Sequence, residues 1–277
     1  MSSRTAPRFQ RVVVKVGASV LTDAGGRLES AVVSRLAEQL AGAVSERRQV
    51  VLVSSGAIAC GMAQLGLSRR PKGLAQLQAC AAIGQGQLMH RYHDAFARHR
   101  VTVAQVLLTA ADLVDRTRCR NARNTFATLL RRGVVPIVNE NDTVAVDEIT
   151  FGDNDRLAAL VASLIGADLL VILSDVDGLL RDGKVIRRLK DVTRAHHRLI
   201  ARSSRQTTTG GMASKLAAGR LCRHAGIPMV IANGGTPGIL TRILSGKPVG
   251  TLIAPPATRL ASPTWWRAFS TLLARER

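Results

Sequence analysis

The residues best placed to do chemistry lie between Asn139 and Asp155. The segment reads Asn-Glu-Asn-Asp-Thr-Val-Ala-Val-Asp-Glu-Ile-Thr-Phe-Gly-Asp-Asn-Asp. It holds six carboxylates, three Asn and no Lys or Arg, in a chain that otherwise sets 39 Lys+Arg against 19 Asp+Glu. Such a stretch reads as the polar wall of a pocket. The amides of Asn139, Asn141 and Asn154 offer donors and acceptors to an amine or a carboxylate. Asp142, Asp153 and Asp155 are more carboxylates than one helix start uses, and Asp153 is the expected N-cap.

Three further motifs carry groups suited to an anion. Lys15-Val16-Gly17-Ala18-Ser19 closes a β-branched run. Its Gly lets main-chain N–H groups approach a ligand, and Lys15 adds a point charge suited to phosphate. A lysine at a strand end is commonly just solvated, so this motif is weak alone. Ser54-Ser55-Gly56-Ala57 follows a second apolar run. It reads equally well as an ordinary turn or as a place where a ligand rests on the main chain. No GxSxG elbow is present, which argues against a nucleophilic serine. Thr208-Thr209-Gly210-Gly211-Met212-Ala213-Ser214-Lys215 opens a helical pattern with glycines, hydroxyls and a lysine. That is an anion-binding design, although the GxxxxGK[ST] spacing of a P-loop is absent.

Two lysine sites beside an acidic wall point to phosphoryl transfer without a P-loop. The histidines (His90, His93, His99, His196, His197, His224) fall outside every motif. A carboxylate acceptor would need no general base, since with a pKa near ~4 it is ionised at neutral pH. Catalysis would then rest on positioning and charge stabilisation.

Apolar periodicity supplies the elements that must hold these motifs. Strands are expected at Arg11–Val16, Val50–Val53, Val101–Leu108, Val134–Val138, Leu169–Leu173 and Pro228–Ala232. Helices are expected at Ser30–Arg47 with Ser30 as N-cap, at Leu74–Arg98 with an irregularity around Gly84 and Gly86, and at Asn121–Arg132. Others follow at Asp153–Ile165, Met212–Ala225 and Pro237–Leu244. Thr143–Phe151 is less regular and reads as a small β-hairpin. The alternation predicts a doubly wound, mainly parallel α/β sheet, and the motifs fall at strand carboxyl ends, where such sheets bind ligands. Beyond Pro255-Pro256, residues Trp265, Trp266, Phe269, Leu272 and Leu273 share a helical face. It would dock on the domain or meet a partner.

Hydrophobic residues make up 46% of the 277, enough for a sizeable core, and aromatics only 3%. That core must be built from Val, Leu, Ile and Ala, as in a buried parallel sheet. No apolar run approaches the ~18 residues of a membrane span, no signal peptide is evident, and a cytoplasmic location fits. Cys60, Cys80, Cys119 and Cys222 are widely scattered and form no CxxC pair, so neither a zinc site nor a disulfide framework is suggested. The net charge of +20 reads either as genome-wide Arg bias or as attraction for anions, nucleic acid included. The basic stretches Arg116–Arg132 and Arg181–Arg205 contain Phe126 as their one aromatic residue, so no base-stacking platform is indicated.

In order, Val14–Ser19, Ser55-Gly56-Ala57-Ile58-Ala59, Asn139–Asp142, Gly152–Asp155 and Gly210–Lys215 resemble the glutamate 5-kinases of the amino acid kinase family. The similarity runs from about Arg11 to Ile253. It implies a three-layer α/β/α sandwich around a mainly parallel sheet. Residues 1–258 would form the kinase domain, with an acceptor-binding half followed by a nucleotide-binding half, and 259–277 an amphipathic helical tail. It implies ATP- and Mg²⁺-dependent phosphorylation of the glutamate γ-carboxylate, the entry step to proline. Lys15, Lys215 and Asp155 match the catalytic positions, with Asp155 ordering the two lysines. Ser55, Asp142 and Asn154 match acceptor-binding positions, with Gly56 and Asn139 nearby. Lys15, Gly17, Ser174, Asp175, Thr209, Gly210, Gly211, Met212 and Lys215 match the nucleotide side. No side chain is assigned to the metal. A homodimer or homotetramer is implied.

The chain departs from the family pattern in three places. Ala18 stands where Ser or Thr is usual. The segment Leu180-Arg181-Asp182-Gly183-Lys184 is shorter than its family counterpart. The expected C-terminal PUA domain is not among these residues. Two alternatives remain open at this level: a kinase acting on a modified or carrier-linked glutamate, with an acidic carrier protein as partner, and a nucleic-acid-binding or regulatory protein on a kinase scaffold.

Overall fold

The computed structural model describes residues 9–23, 25–145, 154–193 and 211–256. Strand β1 (Arg11–Val16) lies at the centre of the sheet and is Val-rich because both its faces are covered. Around it run β2 (Gln49–Ser54), β3 (Val103–Leu108), β4 (Val135–Glu140), β5 (Leu169–Ser174), β8 (Arg188–Leu189), β9 (Met229–Asn233) and β10 (Thr251–Ile253). Their order is β3-β4-β2-β1-β5-β9-β10-β8, and every neighbouring pair is parallel except β9 with β10. The first half of the chain builds one side of β1 and the second half the other. The carboxyl ends of β1, β2, β4 and β5 therefore meet where the winding reverses.

Side-chain alternation along the strands divides the core between two faces. Val13, Val53, Leu170 and Ile172 pack with α6 (Arg116–Arg131), α7 (Asn154–Ile165) and α8 (Met212–His224). Val12, Val14, Leu52 and Ile137 pack with α2 (Ser30–Ser45), α4 (Leu74–Ala97) and α9 (Ile239–Leu244). Short helices α1 (Ala18–Leu21), α3 (Ala57–Gln64) and α5 (Ala110–Val114) follow β1, β2 and β3. The result is the three-layer sandwich expected from the sequence. Helix α7 is buried all round except at Asn154 and Arg156, as a central helix must be. Among the described residues, no helix is long and apolar enough to cross a membrane, and all four cysteines are free and buried.

Several boundaries differ from the sequence expectations for local reasons. Strand β4 runs two residues further than expected, through Asn139 and Glu140, because both still pair with β3. Helix α6 begins at Arg116 rather than Asn121, since Asp115 caps it by accepting from the Arg118 N–H at 2.7 Å. Ser30 is the first helical residue of α2, and Glu29 takes the N-cap position.

Helix α4 passes Gly84 and Gly86 without a break. Gly84 is needed for packing: a Cβ there would lie 1.8 Å from the Ala57 carbonyl oxygen of α3, and one on Gly61 1.8 Å from that of Cys80. Two backbones thus touch where α3 crosses α4.

The segment after Leu179 forms a hairpin of β6 (Leu180–Arg181) and β7 (Lys184–Val185). Its turn residues Asp182 and Gly183 both have positive φ, the pattern favoured by tight hairpins. Asp153, the residues expected to complete a hairpin after Ala145, Thr208 to Gly210 and the tail 259–277 lie outside the described residues.

Candidate active site

Lys15 occupies the β1 register position that points with Val13 toward α7. Asp155, in the first turn of α7, meets it there. Lys15 Nζ is 2.5 Å from Asp155 Oδ1, and Lys215 Nζ, from the first turn of α8, donates to Asp155 Oδ2 at 3.1 Å. Ser214 Oγ reaches the same oxygen at 3.5 Å. One carboxylate therefore separates two ammonium groups and orients both. Asp155 is 0% exposed and each lysine 5%. Charges this deep persist only when paired. Attractions between them also far exceed those in water.

Beside the triad, Asn154 organises the opposite wall. Its Nδ2 donates to the Ser54 carbonyl at 3.1 Å, to Ser55 Oγ at 2.9 Å and to Asn139 Oδ1 at 3.0 Å. Asn139 Oδ1 also accepts from the Glu140 N–H, and its Nδ2 donates to Gln85 Oε1 at 2.9 Å. Asn154 Oδ1 is buried and has no hydrogen-bond partner among the described residues. A buried acceptor left this way is costly unless a ligand satisfies it. Behind the wall, Ser54 Oγ donates to the Ser55 carbonyl at 2.9 Å and lies 2.8 Å from the Tyr92 hydroxyl. With the Ser54 proton committed, Tyr92 is the donor in that pair. Burial drives the Tyr92 phenol well above its usual range, so it stays protonated.

A cleft of about 220 Å³ joins these parts. Lys15, Gly17, Ser55, Gly56, Asn139, Asp142, Asn154, Ser174, Asp175 and Lys215 all line it, as does Ala18. Gly56 has φ of 112°, which a side chain would resist, and it starts α3. Burial pushes the Asp142 carboxyl above its usual range, and the nearby Arg70 guanidinium works against that rise. On the nucleotide side Ser174 Oγ donates to Asp175 Oδ1 at 2.9 Å. Gly211 precedes the first turn of α8 and has no side chain to cap it. Gly211 and Met212 are described but do not line this cleft, and Thr209 and Gly210 are outside the described residues.

Sequence reasoning missed Gln85, Tyr92 and Arg70. The first two lie on α4, where they read as ordinary helix residues. Arg70 is one arginine among many on an Arg-rich surface.

The fold and the cleft are those of a non-P-loop phosphotransferase sandwich, and the chain belongs to the amino acid kinase family, whose sequence profile matches residues 10–233. Among its curated relatives are proteins named glutamate 5-kinase. Those from Salinispora arenicola and Geobacter metallireducens are 49% and 45% identical to it over 269 and 275 residues. The alignments cover 95% and 97% of this chain but 72% and 74% of those proteins. A UMP kinase from Bacillus anthracis has the same fold, with a TM-score of 0.59 at 18% identity, over 91% of this chain and 99% of its own.

Proposed function

We propose that this protein transfers the γ-phosphoryl group of ATP to the γ-carboxylate of L-glutamate, giving γ-glutamyl phosphate. The observation that carries the reading is the Lys15–Asp155–Lys215 triad facing a wall of Asn139, Asp142 and Asn154 across one cleft. The named relatives, similar along most of this chain, support it. The nucleotide side fits a triphosphate: two ammonium groups, the Gly17 turn and the uncapped start of α8 suit phosphate oxygens. ATP supplies the phosphoryl group, and Mg²⁺ would be held mainly by its phosphate oxygens, since no cluster of three metal-ligating side chains occurs among the described residues.

The chemistry asked of the chain is electrostatic. An acceptor carboxylate oxygen attacks the γ-phosphorus, the bond to the bridging oxygen breaks, and ADP departs with that electron pair. No proton need move, which agrees with a cleft lining that holds no histidine among the described residues. The obstacle is repulsion between an anionic acceptor and a polyanionic donor. Lys15 and Lys215 sit where charge gathers on the transferring group. Asp155 keeps both from swinging away, and Ser55, Gly56, Asn139, Asp142 and Asn154 hold the acceptor. The test is hydroxamate formation from glutamate, ATP, Mg²⁺ and hydroxylamine. Folded protein that yields nothing above the no-enzyme rate would sink the proposal.

A further inference from the structure

An acceptor amino acid brings three charged groups into this cleft. The carboxylate to be phosphorylated must point at the Lys15–Lys215 pair. That leaves an ammonium and a second carboxylate at the α-carbon. Asp142 and the unsatisfied Asn154 Oδ1 suit the ammonium. A cation suits the second carboxylate, and three described residues lining the cleft carry one: Lys15, Lys215 and Arg70. Both lysines are already bound to Asp155.

We infer that Arg70 is the residue that binds the α-carboxylate of the acceptor and so makes the enzyme specific for a free amino acid. This rests on the glutamate kinase reading above. Arg70 stands on the α3–α4 connection, exposed, on the rim of the cleft. Arg70 and Asp142 line the same cleft, and the guanidinium charge works against the rise that burial causes in the Asp142 carboxyl. The pair thus presents opposite charges to one cleft, the complement of a zwitterionic α-carbon. A guanidinium suits the task because it grips a carboxylate through two parallel N–H bonds. An acceptor joined to a carrier through its α-carboxyl has lost that charge, and one joined or acylated at its nitrogen has lost its ammonium. Either leaves half of the pair unmatched.

The test compares glutamate with 4-aminobutyrate, which keeps the reacting carboxylate and the amine but lacks the α-carboxylate. In Arg70→Gln the KM for glutamate should rise at least ~30-fold, the loss of about one charged hydrogen-bonded contact. The kcat should stay within about threefold and the KM for ATP within about twofold, as expected when only ground-state binding is removed. The kcat/KM for 4-aminobutyrate should change less than about threefold, because that substrate never engaged Arg70. Arg70→Lys should recover part of the glutamate affinity. Equal losses for both substrates, or an unchanged KM for glutamate, would overturn the assignment of Arg70. No turnover of glutamate by the wild-type enzyme would instead remove the underlying glutamate kinase reading. Because Arg70 is exposed, a matching thermal melt suffices to show that the variants fold.

Discussion

Asp155 is fully buried between two ammonium groups, so its charge matters to stability and turnover together. Asp155→Asn would take away the carboxylate that both nearly buried lysines share, a change that costs about 3–5 kcal/mol. It should also lower kcat at least ~100-fold, as Lys15→Ala and Lys215→Ala should, the scale of losing a charge-stabilising donor. Thermal melts separate this from simple misfolding. A non-hydrolysable ATP analogue replaces the missing negative charge, so it should raise the Tm of Asp155→Asn more than that of the wild type. An equal rise would argue that the lysines do not face the phosphates. Asp142 gives a pH signature. Its carboxyl is raised above the usual range by burial, so it takes up a proton as pH falls through a window above the ordinary ~3.9 of Asp. The KM for glutamate should rise across that window, and Asp142→Asn should be poor at every pH but lack the acid limb. For stability the sign is opposite. The folded state holds this proton more tightly than the unfolded chain does, so ionisation costs stability as pH rises. Unliganded Asp142→Asn should therefore be at least as stable as the wild type at neutral pH. A wild-type KM that is flat across the acid range would exclude Asp142 as the ammonium partner.

Helices α3 and α4 touch backbone to backbone, and this crossing supports the acceptor wall from behind. A Cβ on Gly84 would fall 1.8 Å from the Ala57 oxygen and 2.4 Å from the Gly61 nitrogen, so one helix must move. Gly84→Ala should cost about 1–3 kcal/mol or more. It should raise the KM for glutamate while sparing that for ATP, because Gly56, Ala57 and Gln85 all border the displaced contact. Gly86→Ala is the control. Nothing lies within 4 Å of its added methyl, and helix propensity alone should stabilise it by roughly 0.5–1 kcal/mol. Denaturant unfolding of both variants reads the contrast, and equal effects would remove the close-crossing argument. The sequence could not show this difference, since both glycines sit in the same apolar helical pattern and only a partner helix distinguishes them. Helix α3 was illegible for the same reason: Ala57-Ile58-Ala59-Cys60-Gly61 has no strong helical period and is held by α4. The parallel strands and long helices were legible because burial on one or two faces imposes the period directly. The β6–β7 hairpin left a readable mark in Asp182-Gly183. Arg70 left none, because an exposed arginine has no contrast in this composition.

Across the whole molecule, a net charge of +20 surrounds a cleft whose substrates are all anionic. The strand order places that cleft where four carboxyl ends meet, and the long-range field of the surface acts on whatever approaches it. Exposed charges are screened by salt, with a Debye length of about 10 Å at 0.1 M and about 3 Å at 1 M. The buried Lys15 and Lys215 are screened far less. Encounter and chemistry should therefore separate. Raising KCl from about 0.05 to about 0.5 M should lower kcat/KM for ATP several-fold while kcat changes less than about twofold. A kcat/KM that ignores salt would mean that the arginine excess plays no part in capturing substrate and reflects composition alone. The same titration with duplex DNA or RNA weighs the nucleic-acid reading. Affinity resting on backbone phosphates falls steeply with salt, whereas the cleft residues described here give ATP a bound state that the salt series should leave in place.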